Sequence, residues 1–549
     1  MKRPLSSTLC VAALLAILSA SATCAAQSDD PLLKAMQAEL EREKTQLVLP
    51  GMQHPYFIEY RLDDFSTYEA VANYGALTRE EESQRRIVRV TVRIGNYATD
   101  SSTGRGDGTV QLGPQDNNPD ALRCALWLAT DDAYKNALRA YTTKQAALDR
   151  FQQKRDENDF SQEKPVVHIE PLRRLEIDRA EWKRRIVEAS GLYASAPEVR
   201  GFAEQVQYST GNLRAMVLNR YLVNTEGTTL RYGISAYNNA ISVGGQAPDG
   251  MRLARDNGSV AVTAAELESW PSFRKRVIDD LKSLEALRNA PVVSAEDYHG
   301  PILFSGDAAS DVMNRLFVPN IEADRPELGT TARTTGIYNS SYKARVLPSF
   351  MDVIDDPLDS KFDGHNVVGA YKFDDEGVPA QAVNIVDSGR LDNYLVGREP
   401  VRDFPNSNGH GRAAPGAPSH SRSGVIIFKP NNPVPAAEMN KKLLAMAQEQ
   451  KRDVYAVETM GGEIPRLLYL VHPDGSRQLV RGAIFDELDN RSLRSEIVAA
   501  GDDPYINDSL GALPQTTIVP SLLFGDIGVK RSTEEQQKLP YYPPPPSTK

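Results

Sequence analysis

Ahead of position 50, Leu32, Leu33, Met36 and Leu40 fall on one helical face, with Ser28, Asp29 and Asp30 placed as caps and Pro31 in the first turn. That pattern predicts a helix over 31–46. From Tyr56 the period changes. "YFIEYRL", "STYEAVANYGALT" and "RIVRVTVRIGNYATD" carry β-branched and aromatic residues in partial alternation, with "REEESQRR" as a charged break. They predict adjacent antiparallel strands of one sheet. Helical spacing returns over 121–127, 133–152 and around 181–190. A second strand set runs from "RAMVLNRYLVN" to "GSVAV", with turns at Glu226-Gly227 and Asp249-Gly250. A helix over 271–288 closes the first domain. Beyond it come mainly strands: "AYKF", "AQAVNIVDSG", "GVIIFKP", "RDVYAVETM" and a hairpin turning at Asp474-Gly475. One amphipathic helix over 435–449 interrupts them. The expectation is an α+β chain of two domains: a strand-and-helix N-terminal domain, 27–295, and a mainly antiparallel β C-terminal domain, 296–532.

The ends add a compartment. Lys2 and Arg3, the apolar run from Leu9 to Ser19 and the small residues from Ala20 to Ala26 form a Sec-type signal peptide, 1–26. The run is too short for a bilayer, which needs roughly 20 apolar residues. The chain is therefore expected in the periplasm or secreted, with no transmembrane segment once mature. "KLPYYPPPPSTK" closes it as a proline-rich tail, 533–549, expected to be extended and poorly ordered. Cys10 and Cys24 lie in the leader, so the mature chain keeps Cys124 alone and forms no internal disulfide. Within "ALRCALWLA" that residue reads as a buried apolar position rather than a reactive thiol. Removing Lys2 and Arg3 takes the formal charge from −10 to −12. An acidic chain without a basic tract argues against nucleic acid as a partner.

Several chemistries are excluded by sequence. There is no Walker A loop, no G-x-S-x-G elbow and no His followed by Glu, and none of the seven histidines has another within four residues. Two S-x-x-K matches, Ser272 to Lys275 and Ser340 to Lys343, lack the companions of the acyl enzymes. Two loops carry more. Asp374, Asp375 and Glu376 are three successive carboxylates before Gly377, with Pro379 blocking a helix behind them; they read either as a cation or acid–base site or as an acidic turn. "NSNGHGRAAPGAPSHSRSG", 406–424, gathers His410, Arg412, His420 and Arg422 among glycines, a composition suited to holding peptide main chain or a carboxylate.

Taken in order, "YLVNTEG", "GPILFSGDAASDVM", "DDEGVPAQAVNIVDSGRLDNYLVGRE", "NSNGHGR", "VRGAIF" and "VPSLLFGDIGVK" resemble the TldD/PmbA family of peptidases and peptidase-related proteins. The resemblance implies a dimer enclosing a chamber for extended or unfolded peptide. In the catalytic subunits of that family the segment matching 300–316 carries H-E-x-x-x-H, and a C-terminal Cys completes the metal site. Here Ser305, Gly306 and Ser310 stand in the motif and no such Cys exists. A hydrolytic metal needs several fixed N, S or carboxylate ligands, so the chain looks like the metal-free PmbA/TldE-type subunit. Asp307 and Asp311 share a helix face and read as acidic residues near a helix N-terminus rather than as ligands.

The expectation is thus a peptidase-related subunit that acts as the partner of a metal-bearing TldD-like chain, or as an inactive homodimeric relative. No metal ligand set and no cofactor of its own are expected, a divalent metal entering only through a partner subunit. Asn408, His410, Arg412 and His420 are the expected peptide-binding residues. Glu376 and His410 are the catalytic candidates should the chain hydrolyse peptide unaided. The alternative is a periplasmic peptide-binding or assembly protein with no role in proteolysis.

Overall fold

The computed structural model describes residues 30–102, 107–151, 157–294, 296–533 and 538. The leader, residues 152–156 of the connection after the second helical stretch and most of the proline-rich tail lie outside the described residues. α1 (Pro31–Gln46) starts where Asp30 accepts the backbone N–H groups of Leu32 and Leu33, with Pro31 at its first position. The N-terminal sheet contains β1 (Phe57–Asn73), β2 (Ala76–Arg93), β3 (Thr109–Leu112), β4 (Val167–Ile169), β5 (Val206–Asn224), β6 (Thr229–Gln246) and β7 (Arg252–Ala261). Its order is β3-β2-β1-β5-β6-β4, with β7 also on β6. α2 (Pro119–Phe151), α3 (Arg179–Ser195) and α4 (Trp270–Asn289) complete this half.

One face of the sheet is apolar. Ile58, Tyr60 and Leu62 of β1 and Val88, Val90 and Val92 of β2 pack with α1 and α2. Further along the same face, Tyr68, Ala70 and Ala72 pack with α3 and α4. A period-2 strand puts the intervening residues on the other face. There β1 carries Phe57, Glu59, Arg61 and Asp63, and β2 carries Arg89, Thr91 and Arg93.

Three expectations change. "REEESQRR" is no break but part of β2; the turn sits earlier, at Tyr74 and Gly75, both at positive φ. The charged stretch stays extended because Arg79 pairs with Glu69 across the hairpin, and Glu80 and Glu82 pair with Lys183 and Arg179 of α3. The stretches 121–127 and 133–151 form a single helix, α2, bridged by Thr130, whose hydroxyl donates to Leu126 O and accepts from Tyr60 Oη. Cys124, expected buried, is exposed on this helix.

The C-terminal half holds two further sheets. One has the order β13-β12-β9-β16-β23-β22: β9 (Met351–Asp355), β12 (Val383–Asp387), β13 (Arg390–Leu391), β16 (Val425–Pro430), β22 (Tyr505–Leu510) and β23 (Pro514–Val519). The other has the order β19-β18-β17-β8-β24-β20, with β21 on β24: β8 (Tyr298–Phe304), β17 (Val454–Gly461), β18 (Ile464–Val471), β19 (Arg477–Val480), β20 (Ala483–Asp486), β21 (Ile497–Ala500) and β24 (Leu522–Arg531). Two small ladders, β10 (Lys361–Phe362) with β11 (His365–Asn366) and β14 (Gly411–Arg412) with β15 (His420–Ser421), stand apart. α5 (Gly306–Leu316), α6 (Ala436–Gln450) and α7 (Asn490–Ser495) complete the set. Pairing is antiparallel except for β4·β6, β8·β17 and β16·β23. The main C-terminal core joins both sheets through Phe304, Val312, Met313, Val353, Ile385, Phe428 and Phe524. The chain is α+β. No helix among the described residues is long and apolar enough to cross a membrane.

Candidate functional site

The stretches that carry the family resemblance converge on the domain junction. The turn between β5 and β6 is shaped by Asn224, whose Oδ1 accepts the N–H groups of Glu226 (3.1 Å) and Thr228 (3.1 Å). This presents Glu226 Oε1 to Arg398 Nη2 at 2.8 Å and to Tyr97 Oη at 2.8 Å. Arg398 is held between the rings of Phe57 and Phe160, 5.1 and 4.0 Å from its guanidinium carbon.

The three successive carboxylates have three different fates. Asp374 shapes its own turn, accepting N–H groups from Glu376 (3.0 Å), Val378 (2.8 Å) and Gly411 (2.9 Å). Asp375 accepts Ala413 N at 2.6 Å and also binds Tyr232 Oη and Arg220 Nη1. Arg220 in turn donates from Nε to Asp63 at 2.6 Å. Asp63, Arg220 and Tyr232 form one cross-strand row over β1, β5 and β6. Burial alone would raise the Asp375 carboxyl, but the guanidiniums of Arg220 and Arg412 hold it below the usual range. Glu376 accepts Arg398 N at 2.6 Å and lines the junction cavity, and burial pushes it up to about 7. The acidic turn therefore fastens the C-terminal domain to the N-terminal sheet.

The 406–424 loop is similarly occupied. Asn408 accepts Val396 N (2.8 Å) and donates to Tyr394 O (2.8 Å). His410 is fully buried, with Nδ1 3.0 Å from Asn408 Oδ1 and Nε2 3.4 Å from Asp355. Arg412, also buried, donates to Ser423 O and Pro514 O at 3.1 and 3.0 Å and lies over the Tyr371 ring. The polar atoms of His410 and Arg412 thus satisfy buried backbone and carboxylate groups. None of the three hydrogen-bond contacts of His410, to Asn408 O, Asn408 Oδ1 and Asp355, involves Glu376. His420 lines the junction cavity, 3.3 Å from Asp324, whose hydrogen bond raises the imidazole pKa.

The strand-to-helix segment 300–316 lies elsewhere. Ser305 caps α5, accepting Ala308 N at 3.3 Å and donating to Glu458 O at 2.7 Å. Ser310 donates to Asp307 O (2.8 Å) and accepts from Asn507 Nδ2 (3.0 Å). A side chain at Gly306 would run into Tyr505, and no group of three or more His, Cys, Asp or Glu side chains able to hold a metal occurs among the described residues. This segment does not fit a hydrolytic metal centre. Instead Asp307 and Asp311 line a groove of about 520 Å3, walled by β7 residues Asp256, Asn257, Gly258 and Val260 and by β22 residues Tyr505 and Asn507 to Leu510. Each strand pairs on one side only, β7 with β6 and β22 with β23. Burial raises both aspartates; Asp311, with Asp307 beside it, goes to about 6.

Sequence reasoning missed the junction residues Glu59, Arg61, Arg89, Arg93, Asp63 and Arg220. Their signal was the alternation in "FIEYRLDD" and "RVTVR", which reads as a solvent face when the second domain is not known to cover it.

The fold is an α+β one whose described residues hold no group of three or more His, Cys, Asp or Glu able to bind a metal. Residues 297–531 match the PmbA/TldA metallopeptidase C-terminal domain, so the similarity to the TldD/PmbA family is carried by that part of the chain. No curated protein sequence matches the chain. Among solved structures, a proposed modulator of a DNA gyrase from Thermotoga maritima is similar with TM-score 0.60 at 15% identity, covering 90% of this chain and 99% of that one. TldE from Thermococcus kodakarensis is similar with TM-score 0.59 at 12% identity, over 90% and 99% of the two chains. A proposed modulator of DNA gyrase from Bacteroides thetaiotaomicron gives TM-score 0.56 at 12% identity, over 91% and 98%. At these identities the likeness is one of fold.

Proposed function

We propose that the protein is an exported, peptidase-related member of its family that binds extended peptide in the groove beside α5 and contributes no metal of its own. It acts as the partner of a metal-bearing TldD-like chain or as an inactive homodimeric relative. The observation that carries this reading is the pair of one-sided strands, β7 and β22, walling a groove of about 520 Å3. A strand edge offers a row of backbone donors and acceptors to any extended chain regardless of its sequence. The occupied hydroxyls of Ser305 and Ser310 and the absence of space at Gly306 support a binding role rather than a hydrolytic one.

The test is hydrogen exchange of the mature protein with and without an unfolded model peptide, accompanied by native mass spectrometry of protein taken gently from its own compartment. Slowed exchange in 252–261 and 505–510 is the expected result. Protection confined to other elements would remove the groove. Metal-free homodimer in the spectra supports the inactive relative, a co-purifying chain bearing H-E-x-x-x-H supports the partner subunit, and metal bound to this chain alone overturns both.

A further inference from the structure

Between the N-terminal sheet and the opposing loops lies a separate cavity of about 70 Å3, lined by Glu59, Arg61, Arg89, Arg93, Glu376 and Arg398 among others. Arg61 and Arg89 are register partners across β1 and β2, only 2% and 8% exposed. Like charges directly opposite each other destabilise a sheet, and burial deprives them of water. Neither is neutralised by a hydrogen-bonded carboxylate. Arg61 donates to Ala417 O, and Arg89 to Gly416 O at 3.2 Å and to Asp107 O. Asp63 stands 3.5 Å from Arg61 Nε but already serves Arg220 and Gly416 N. The Nε atoms of Arg61, Arg93 and Arg398 are buried with no hydrogen-bond partner, in side chains 2%, 4% and 1% exposed.

The opposite charge is also left open. The side chain of Glu59, two residues before Arg61 on the same strand face, makes no hydrogen bond among the described residues; the charges it feels are those of Arg398, Arg61, Arg93 and Glu226. Glu376 uses Oε2 on Arg398 N. A single anion would answer the arginines and leave Glu59, and a single cation would do the reverse. Same-face neighbours on a strand lie about 7 Å apart, a span bridged by an ammonium and a carboxylate on one small molecule with a hydrogen bond at each end. A cavity of this size holds several waters, each needing about 10–15 Å3 of such space, and so has room for a small solute.

We propose that this cavity binds a free amino acid, its carboxylate on Arg61 and Arg89 and its ammonium on Glu59 and Glu376. The site is distinct from the groove beside α5 and does not depend on peptide binding there. Because its walls come from both domains, the ligand also clamps the junction.

Titration calorimetry and thermal melting of the full mature chain test this, using glycine as probe with acetate and methylammonium as half-probes. Glycine is expected to bind one per chain and raise the melting temperature, each half-probe being weaker by at least about tenfold, as expected for losing a charged hydrogen bond. Glu59→Gln should weaken glycine by a similar factor while leaving acetate unchanged. Should that variant not fold, Arg89→Lys, which keeps the charge but loses the fork, should weaken acetate and glycine together. Three results each overturn the proposal: no response to glycine, meaning a cavity of water only; acetate binding as tightly as glycine, meaning an anion site; or glycine binding unaffected by both substitutions.

Discussion

The acidic turn at 374–376 and the helix bearing Asp307 and Asp311 put the same functional group into opposite surroundings. In the turn, Asp374 and Asp375 meet backbone amides, a tyrosine and a guanidinium from the other domain. Beside α5 the two aspartates lie half-screened on a groove whose walls still have open strand edges. A carboxylate cluster is thus no guide to function until its hydrogen-bond partners are known. The turn that looks most like chemistry is a fastener, and the plainer pair borders the open groove.

Replacing Arg220 with Met should show the contrast most strongly. It leaves Asp63 and Asp375 buried without their shared cation, a loss of about 3–5 kcal/mol, readable as a fall in the urea midpoint. Gly409→Ala comes next. Gly409 has φ +77°, and a Cβ there would strike Pro379 O and lie 2.8 Å from Ala380 Cα, costing about 2–3 kcal/mol by the same measurement.

The pH dependence sharpens the comparison. Glu376 and Glu322, both raised by burial to about 7 from an ordinary 4.5, bind protons in the folded state that the unfolded chain has released. Their contribution to stability is full below about pH 4.5 and is lost as pH rises through 7. Asp375 and Asp324, held below the usual range, act oppositely and lose theirs on acidification below about pH 4. Melting should therefore be higher at pH 6 than at pH 8, and Glu376→Gln should narrow that gap. The smallest effect is expected from Asp311→Asn. With no strong partner to lose and a carboxyl already raised to about 6, stability should move by no more than about 0.5 kcal/mol, whereas peptide protection in the groove should change. A loss comparable to that of Arg220→Met would erase the distinction between the two regions.

Local pattern sufficed for much of the architecture. The helix over 31–46 was legible because Asp30, Pro31 and its apolar stripe act within one turn of each other, and the hairpins at Glu226-Gly227, Asp249-Gly250 and Asp474-Gly475 because glycine alone readily takes the positive φ each requires. That positions 305, 306 and 310 are Ser, Gly and Ser rather than His, Cys, Asp or Glu was equally plain, since side-chain chemistry is written in the residue itself. What the chain could not disclose locally was which polar faces meet. Arg79, Glu80 and Glu82 stay extended only because Glu69, Arg179 and Lys183 lie across from them. His410 and Arg412 look like surface residues in a glycine-rich loop until Asp355, Ser423 and Pro514 close over them. Apolar periodicity depends on neighbours three or four positions away and survives in sequence. The fate of a charge depends on a partner often more than 100 residues distant, as in Arg220 with Asp375 or Arg398 with Glu226, and so only the tertiary structure decided it.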